Sequence, residues 1–196
     1  GETHQGVFDL SYLSMIPNLT LAVPKDAEEF KKMLHFSADY PHPLAIRYPR
    51  NGLVKFDGSN DTIEVGKWEY LQKCNSKVTV IATGERCLTL AVEMAKSLEN
   101  KEISIDIINA RFVKPLDTEM LSNLESDYIV TVEDNVFLGG FGSMIDGWFA
   151  QMNKRCTIKN FAYKDKFIPH GSVSNLQKRF GVDKEEIERY IIGIFK

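Results

Sequence analysis

The sequence predicts an α/β fold: a mostly parallel sheet with helices on both faces. Three observations carry this. Short apolar runs of strand length alternate with amphipathic stretches of helix length over most of the 196 residues, the order that parallel β-α-β units produce. The composition, 43% hydrophobic and 26% charged, is that of a globular chain able to bury a core. The regular pattern lapses once, between Pro49 and Lys77, where Asn51-Gly52 and Asp57-Gly58-Ser59-Asn60-Asp61 punctuate the chain. A linker there separates about fifty residues from a longer α/β unit.

Residues 7–16 set Phe8, Leu10, Tyr12, Leu13 and Ile16 at mostly helical spacing, and Pro17-Asn18 ends the turn. An apolar strand follows at 19–23. Pro24 breaks it, and Asp26 caps a helix over 27–39 whose apolar side carries Phe30, Met33, Leu34 and Phe36. Another strand is expected at 44–48. This helix-strand-helix-strand order is half of a parallel unit without its own first strand. Inside the linker, short strand-like pieces surround Ile63 and Tyr70. Beyond it, strands are expected at 78–82, 103–108, 128–132 and 157–161, with helices at 85–98, 117–124, 143–152, 173–179 and 184–194. Alternation of this kind implies a parallel sheet with right-handed crossovers.

Charge and cysteine usage narrow the function classes. Twenty-four Lys and Arg against 27 Asp and Glu give a net charge of −3, with no basic run, so nucleic acid and anionic membrane surfaces are not expected partners. No apolar run approaches the roughly 20 residues that cross a bilayer, which reads as a soluble protein. Cys74, Cys87 and Cys156 are widely spaced and fit a reducing compartment better than a zinc site or a disulfide framework. No His-x-x-x-His, Asp-rich calcium loop or Gly-x-Ser-x-Gly occurs, so no metal site is expected. The start, Gly1-Glu2-Thr3-His4-Gln5-Gly6, reads as a polar loop entering a helix, and the chain is expected to begin inside a domain.

Four stretches carry candidate chemistry. His4 precedes a helix start, where an imidazole either faces a cleft and handles a proton or an anion, or is a surface loop histidine. Arg47-Tyr48-Pro49-Arg50 lies at the carboxyl end of a strand, where open α/β sheets place their ligand crevices. Alternation puts the two guanidinium groups on opposite faces; Arg50, beyond Pro49, is the better phosphate or carboxylate ligand, and Arg47 the salt-bridge residue. Gly139-Gly140-Phe141-Gly142-Ser143 opens a helix but lacks the spacing of a nucleotide-binding loop, so it reads as a packing turn. Glu133 and Asp134 before it form either a carboxylate pair or a helix cap and domain contact. His170, in Phe167-Ile168-Pro169-His170-Gly171-Ser172, has no acidic or cysteine partner nearby in sequence and reads as structural or peripheral.

The same residues carry a resemblance. Thr3-His4-Gln5-Gly6-Val7-Phe8-Asp9-Leu10-Ser11-Tyr12-Leu13, Ile16-Pro17-Asn18, Arg47-Tyr48-Pro49-Arg50, Arg111-Phe112-Val113-Lys114-Pro115-Leu116-Asp117, the Gly139–Ser143 turn and Phe167–Gly171 resemble, in order and spacing, the C-terminal third of the 1-deoxy-D-xylulose-5-phosphate synthases. These are transketolase-like thiamine diphosphate enzymes. The resemblance implies residues 1–50 as the end of a pyrimidine-binding domain, 51–77 as linker and start of the next, and 78–196 as a three-layer α/β/α transketolase C-terminal domain. It implies an enzyme that decarboxylates pyruvate and joins the two-carbon unit to glyceraldehyde 3-phosphate, with His4 in the active site and Arg50 on the acceptor phosphate.

The family's magnesium- and diphosphate-holding segment and its cofactor-activating glutamate have no counterpart here. Thiamine diphosphate and Mg2+ are therefore expected in the full-length enzyme and neither on this fragment alone, which is expected to be inactive. The family reads Gly directly after the second arginine, where this chain has Asn51-Gly52. Homodimerisation, contact with the remaining domains and a cytoplasmic location are further expectations. Alternative readings are the C-terminal subunit of a split transketolase or 2-oxoacid dehydrogenase, and a non-catalytic domain for dimerisation or regulation.

Overall fold

The computed structural model describes residues 2–50, 54–56 and 62–196, so the Asn51-Gly52 departure lies outside the described residues. One 3-10 turn, Glu2–His4, precedes α1 (Asp9–Ser14), shorter than the 7–16 expected. Strand β1 (Thr20–Ala22), helix α2 (Ala27–Asp39) and strand β2 (Leu44–Ile46) follow. Asp26 caps α2 as expected, its carboxylate accepting from the Glu29 N–H at 2.8 Å. The main unit then runs β3 (Glu69–Gln72), β4 (Val78–Ala82), α3 (Glu85–Glu99), β5 (Asp106–Asn109), β6 (Phe112–Lys114), α4 (Thr118–Ser122) and β7 (Tyr128–Val136). Helix α5 (Phe141–Gln151), β8 (Thr157–Tyr163), α6 (Val173–Phe180) and α7 (Lys184–Ile194) complete it.

Five strands form one sheet in the order β3-β5-β4-β7-β8, parallel except for β3 on its edge. The two-residue period of the strands divides the core. Val78, Val80, Val130 and Val132 face α3 and α7, meeting Leu88, Leu98, Ile187 and Ile191. Ile81, Ile108 and Ile129 face the opposite layer, where Leu10 of α1 joins Leu121, Ile145 and Phe149 of α4 and α5. The result is the three-layer α/β/α arrangement the sequence implied.

Two features depart from expectation. The segment around Ile63 is not a strand; its apolar side chain packs as irregular backbone against the cluster of Ala22, Met33 and Phe112. Strand β6 was not expected, because three residues after Ala110-Arg111 carry too little pattern. Its pairing supplies the reason: it lies antiparallel to β1, which runs parallel to β2, so a second sheet of order β2-β1-β6 is shared by the N-terminal fifty residues and the main unit.

That seam is polar as well as apolar. The Lys114 ammonium donates to the carbonyls of Ser14, at 2.9 Å, and Ile16, closing the end of α1. Below the seam sits a buried charge cluster. Lys25 pairs with Glu69 and stands 3.8 Å from Glu29, Arg111 lies 3.5 Å from Glu29, and the Asn109 amide donates to both carboxylates. Burial pushes the Glu29 carboxyl above its ordinary range, against the pull of Lys25 and Arg111.

Because two cations and two carboxylates share this dry site, removing one member strands the others. Lys25→Ala is expected to destabilise the chain by about 3–5 kcal/mol, read as a lower urea midpoint. In the unaltered chain the fluorescence of Trp68 and Trp148 together and far-ultraviolet circular dichroism should give one coincident transition, since the cluster belongs to both parts. Two separate transitions would show that the seam is weak.

Candidate functional site

A cleft of about 460 Å³ opens at the carboxyl end of the five-stranded sheet. Its position follows from the topology. From β4 the chain moves through α3 to β5 on one side, while β7 lies on the other side of β4, so the loops after β4 and β7 diverge and leave a crevice. The N-terminal part contributes His4, Arg47 and Arg50 to the cleft, and the main unit contributes Arg86, Asp134 and His170.

The His4 loop is held from three directions. Gln5 Nε2 donates to the Pro169 carbonyl at 2.8 Å, Phe8 meets Phe167 edge-on at 5.7 Å, and the Val136 N–H donates to the Val7 carbonyl at 2.8 Å. The first two contacts also fix the segment carrying His170. That segment therefore forms a cleft wall, and His170, read from the sequence as structural or peripheral, lies exposed on it; its placement comes from contacts made 164 residues away.

Arg47 ties the two parts together. Strand β2 ends at Ile46, so strict alternation no longer governs Arg47 and Arg50, and both reach the cleft rather than opposite faces. The Arg47 guanidinium donates to Asp9 Oδ2 at 3.3 Å, to the Gly6 carbonyl at 2.8 Å and to the Asp134 carbonyl at 3.0 Å. Burial works against its charge, but Asp9 and Asp134 more than restore it and hold its pKa above the ordinary value. It is the expected salt-bridge residue. Arg50 is exposed at the rim and forms no ion pair among the described residues, which leaves its fork of donors to solvent or to an anion.

Alternation along β7 resolves the adjacent carboxylates. Glu133 turns to α5 and accepts from the Phe141 and Gly142 N–H groups, both at 2.8 Å. Asp134 turns to the cleft, accepting from Arg86 at 2.9 Å and from the Tyr163 phenol. They are therefore a helix cap and a contact between the two parts, not a carboxylate pair. Burial pushes the Glu133 carboxyl up to about 8, against the downward pull of its two N–H donors. The Cys87 thiol, also in the cleft, is raised by burial and is not a ready nucleophile.

The glycine turn is a packing device. A Cβ on Gly140 would stand 2.5 Å from Glu133 Oε2, and one on Gly142 would stand 2.7 Å from Asn160 Oδ1. With the Glu133 carboxylate on the α5 N-terminus, this turn has no room for a diphosphate. No group of three His, Cys, Asp or Glu side chains suited to a metal ion occurs among the described residues. These residues thus do not fit a diphosphate with its cation.

Sequence reasoning also missed Arg86. A cation in the first turn of a helix opposes the helix dipole, and that conflict in α3 is the signal that marks it. Asp134 offsets the conflict.

Comparison with known proteins gives consistent matches. The profile of the family described as transketolase, C-terminal domain, matches residues 66–187, and that of the transketolase pyrimidine binding domain matches residues 1–55. The chain is 42% identical over 196 residues to a protein of Clostridium tetani (strain Massachusetts / E88) named 1-deoxy-D-xylulose-5-phosphate synthase, covering 99% of this chain and 31% of that one. A protein of the same name from Carboxydothermus hydrogenoformans is 40% identical over 190 residues, covering 95% of this chain and 30% of that protein. The chain spans about a third of the length of these relatives. Among solved structures, one described as a split gene transketolase, inactive beta4 tetramer, superposes with a TM-score of 0.89 at 24% identity over 98% of this chain and 63% of its own. Transketolase from Campylobacter jejuni gives a TM-score of 0.76 at 19% identity, over 98% and 29% of the two chains. At these identities the structures establish the shared fold.

A carboxyl whose folded pKa lies above its unfolded value binds its proton more tightly in the folded state, so stability falls as pH rises between the two values. For Glu133 that window runs from 4.5 to about 8. Unfolding free energy is expected to fall by about 1.4 kcal/mol per pH unit there. In Glu133→Gln, denaturation at a series of pH values should show this slope removed; an unchanged slope would place the titration elsewhere.

Proposed function

The chain belongs to the transketolase C-terminal domain family, and from that premise we propose that it is the C-terminal part of a 1-deoxy-D-xylulose-5-phosphate synthase. In this reading the whole enzyme removes the carboxyl of pyruvate as carbon dioxide and joins the remaining two-carbon unit to the aldehyde carbon of glyceraldehyde 3-phosphate. It supplies precursors for isoprenoids, thiamine and pyridoxal, works as a cytoplasmic homodimer, and holds thiamine diphosphate and Mg2+ on domains other than this one. The cofactor supplies carbanion stabilisation when bound. No helix among the described residues is long and apolar enough to cross a membrane, which accords with an enzyme acting on small soluble substrates.

The observation that carries the reading is that His4 and Arg50 meet on one cleft at the point where the strand order reverses. His4 moves or holds a proton at its imidazole, and Arg50 donates to the acceptor phosphate with charge-assisted hydrogen bonds. Arg47 holds the Gly6 carbonyl and so positions the His4 loop. Relatives named 1-deoxy-D-xylulose-5-phosphate synthase that match 99% and 95% of this chain support the assignment.

The resemblance to the split gene transketolase favours a second reading, in which the chain is part of an enzyme exchanging sugar phosphates without decarboxylation. Release of carbon dioxide from pyruvate that depends on glyceraldehyde 3-phosphate, measured on the whole gene product, supports the synthase; exchange without release supports the transketolase. The 196 residues alone should bind no thiamine diphosphate tightly in a calorimetric titration.

Two substitutions in the whole enzyme test the site. Arg50→Ala is expected to weaken the use of glyceraldehyde 3-phosphate roughly ten- to hundredfold while leaving the KM for pyruvate nearly unchanged. An equal loss for both would remove Arg50 from the phosphate site. His4→Ala is expected to lower kcat by about 10²–10⁴-fold; a change confined to KM would make His4 a binding group.

A further inference from the structure

We infer that Arg86, contributed by the main unit, is a second phosphate-recognising residue of the cleft and sets its preference for a phosphorylated over an unphosphorylated aldehyde. This rests on the function proposed above and adds to that site a residue from the opposite wall. Arg86 lines the same cavity as His4 and Arg50. Its side chain is 32% exposed, and one nitrogen is fixed on Asp134 Oδ2 at 2.9 Å. A guanidinium has five N–H donors, so the anchored side chain keeps others for a ligand in the cavity.

The anchor sets both direction and charge. Asp134 also stands 3.8 Å from Arg47, whose own partner is Asp9. Arg47 and Arg86 thus share the carboxylates of Asp9 and Asp134, and the remaining acid of this wall, Glu85, is buried, with the Thr89 hydroxyl 3.4 Å from its Oε1. The cleft therefore offers Arg50, which has no ion pair among the described residues, on one wall and the spare N–H donors of the anchored Arg86 on the other. A phosphate dianion with three terminal oxygens takes donors from two sides at once, whereas a hydroxyl in its place takes one or two weaker bonds. The pairing with Asp134 holds Arg86 in place before the anion arrives, which lowers the ordering cost of binding.

The test uses the whole enzyme with D-glyceraldehyde 3-phosphate and D-glyceraldehyde as alternative acceptors. Arg86→Ala should raise KM for the phosphorylated acceptor roughly tenfold or more, leave KM for D-glyceraldehyde and pyruvate within about twofold, and so collapse the discrimination. Arg86→Lys, which keeps the charge without the fork, should recover part of it. Equal changes for both aldehydes, or no change, would overturn the assignment, as would a general loss of activity rescued by neither acceptor nor by Lys. Should the unaltered enzyme form no deoxyxylulose phosphate, the proposed function fails, and calorimetry with inorganic phosphate still decides for Arg86. Phosphate binding weakened roughly tenfold by Arg86→Ala supports it; binding that is absent, or unchanged by the substitution, overturns it.

Discussion

The Arg47 guanidinium is the interaction that joins the two walls of the cleft. One planar group reaches an aspartate of α1, a carbonyl of the loop carrying His4 and a carbonyl of β7, so residues 6–9, the end of β2 and the end of β7 are fixed relative to one another. A lysine has a single ammonium in place of this fork and makes no such span. Two carboxylates, Asp9 and Asp134, compensate its desolvation. With the tie in place, the His4 loop, the Arg50 rim and the start of α3 are walls of one cavity.

The tie works because the seam beneath it is continuous. Strand β6 completes a sheet with β1 and β2, Lys114 closes α1, and the Lys25, Glu29, Glu69 and Arg111 cluster is specific in partner geometry. Buried ion pairs add little net stability over apolar packing, but they penalise a shifted register, because a displaced seam leaves charges unpaired in a dry site. The seam thus fixes how the N-terminal segment sits on the main unit, and with it the geometry across the cleft.

Most helices were legible because their limits are written locally. Asp26, Asp117, Ser172 and Asp183 cap α2, α4, α6 and α7 with side-chain oxygens, and the apolar runs of β4 and β7 needed no partner to be recognised. What was illegible is decided at long range. Phe112-Val113-Lys114 becomes a strand only beside β1, and Ile63 finds a core position without regular backbone. In the site, His4, Arg47 and Arg50 were visible through motif and strand position. Arg86 was missed although it stands against the dipole in the first turn of α3, and His170, visible in its loop motif, acquires its place from Gln5 and Phe8. The Glu133-Asp134 ambiguity was resolved by strand period alone, once the helix start at Phe141 placed one carboxylate under it.

In the proposed function an acceptor phosphate binds between the two parts of the chain, in the cleft that Arg47 holds together. Hydrogen–deuterium exchange of the whole enzyme, with saturating D-glyceraldehyde 3-phosphate and with D-glyceraldehyde, tests it most directly. The phosphorylated acceptor should slow exchange at residues 4–8, 47–50, 83–87 and 167–171 together, and the unphosphorylated one should leave 83–87 unaffected. Protection confined to one wall, or the same pattern with both aldehydes, would contradict it.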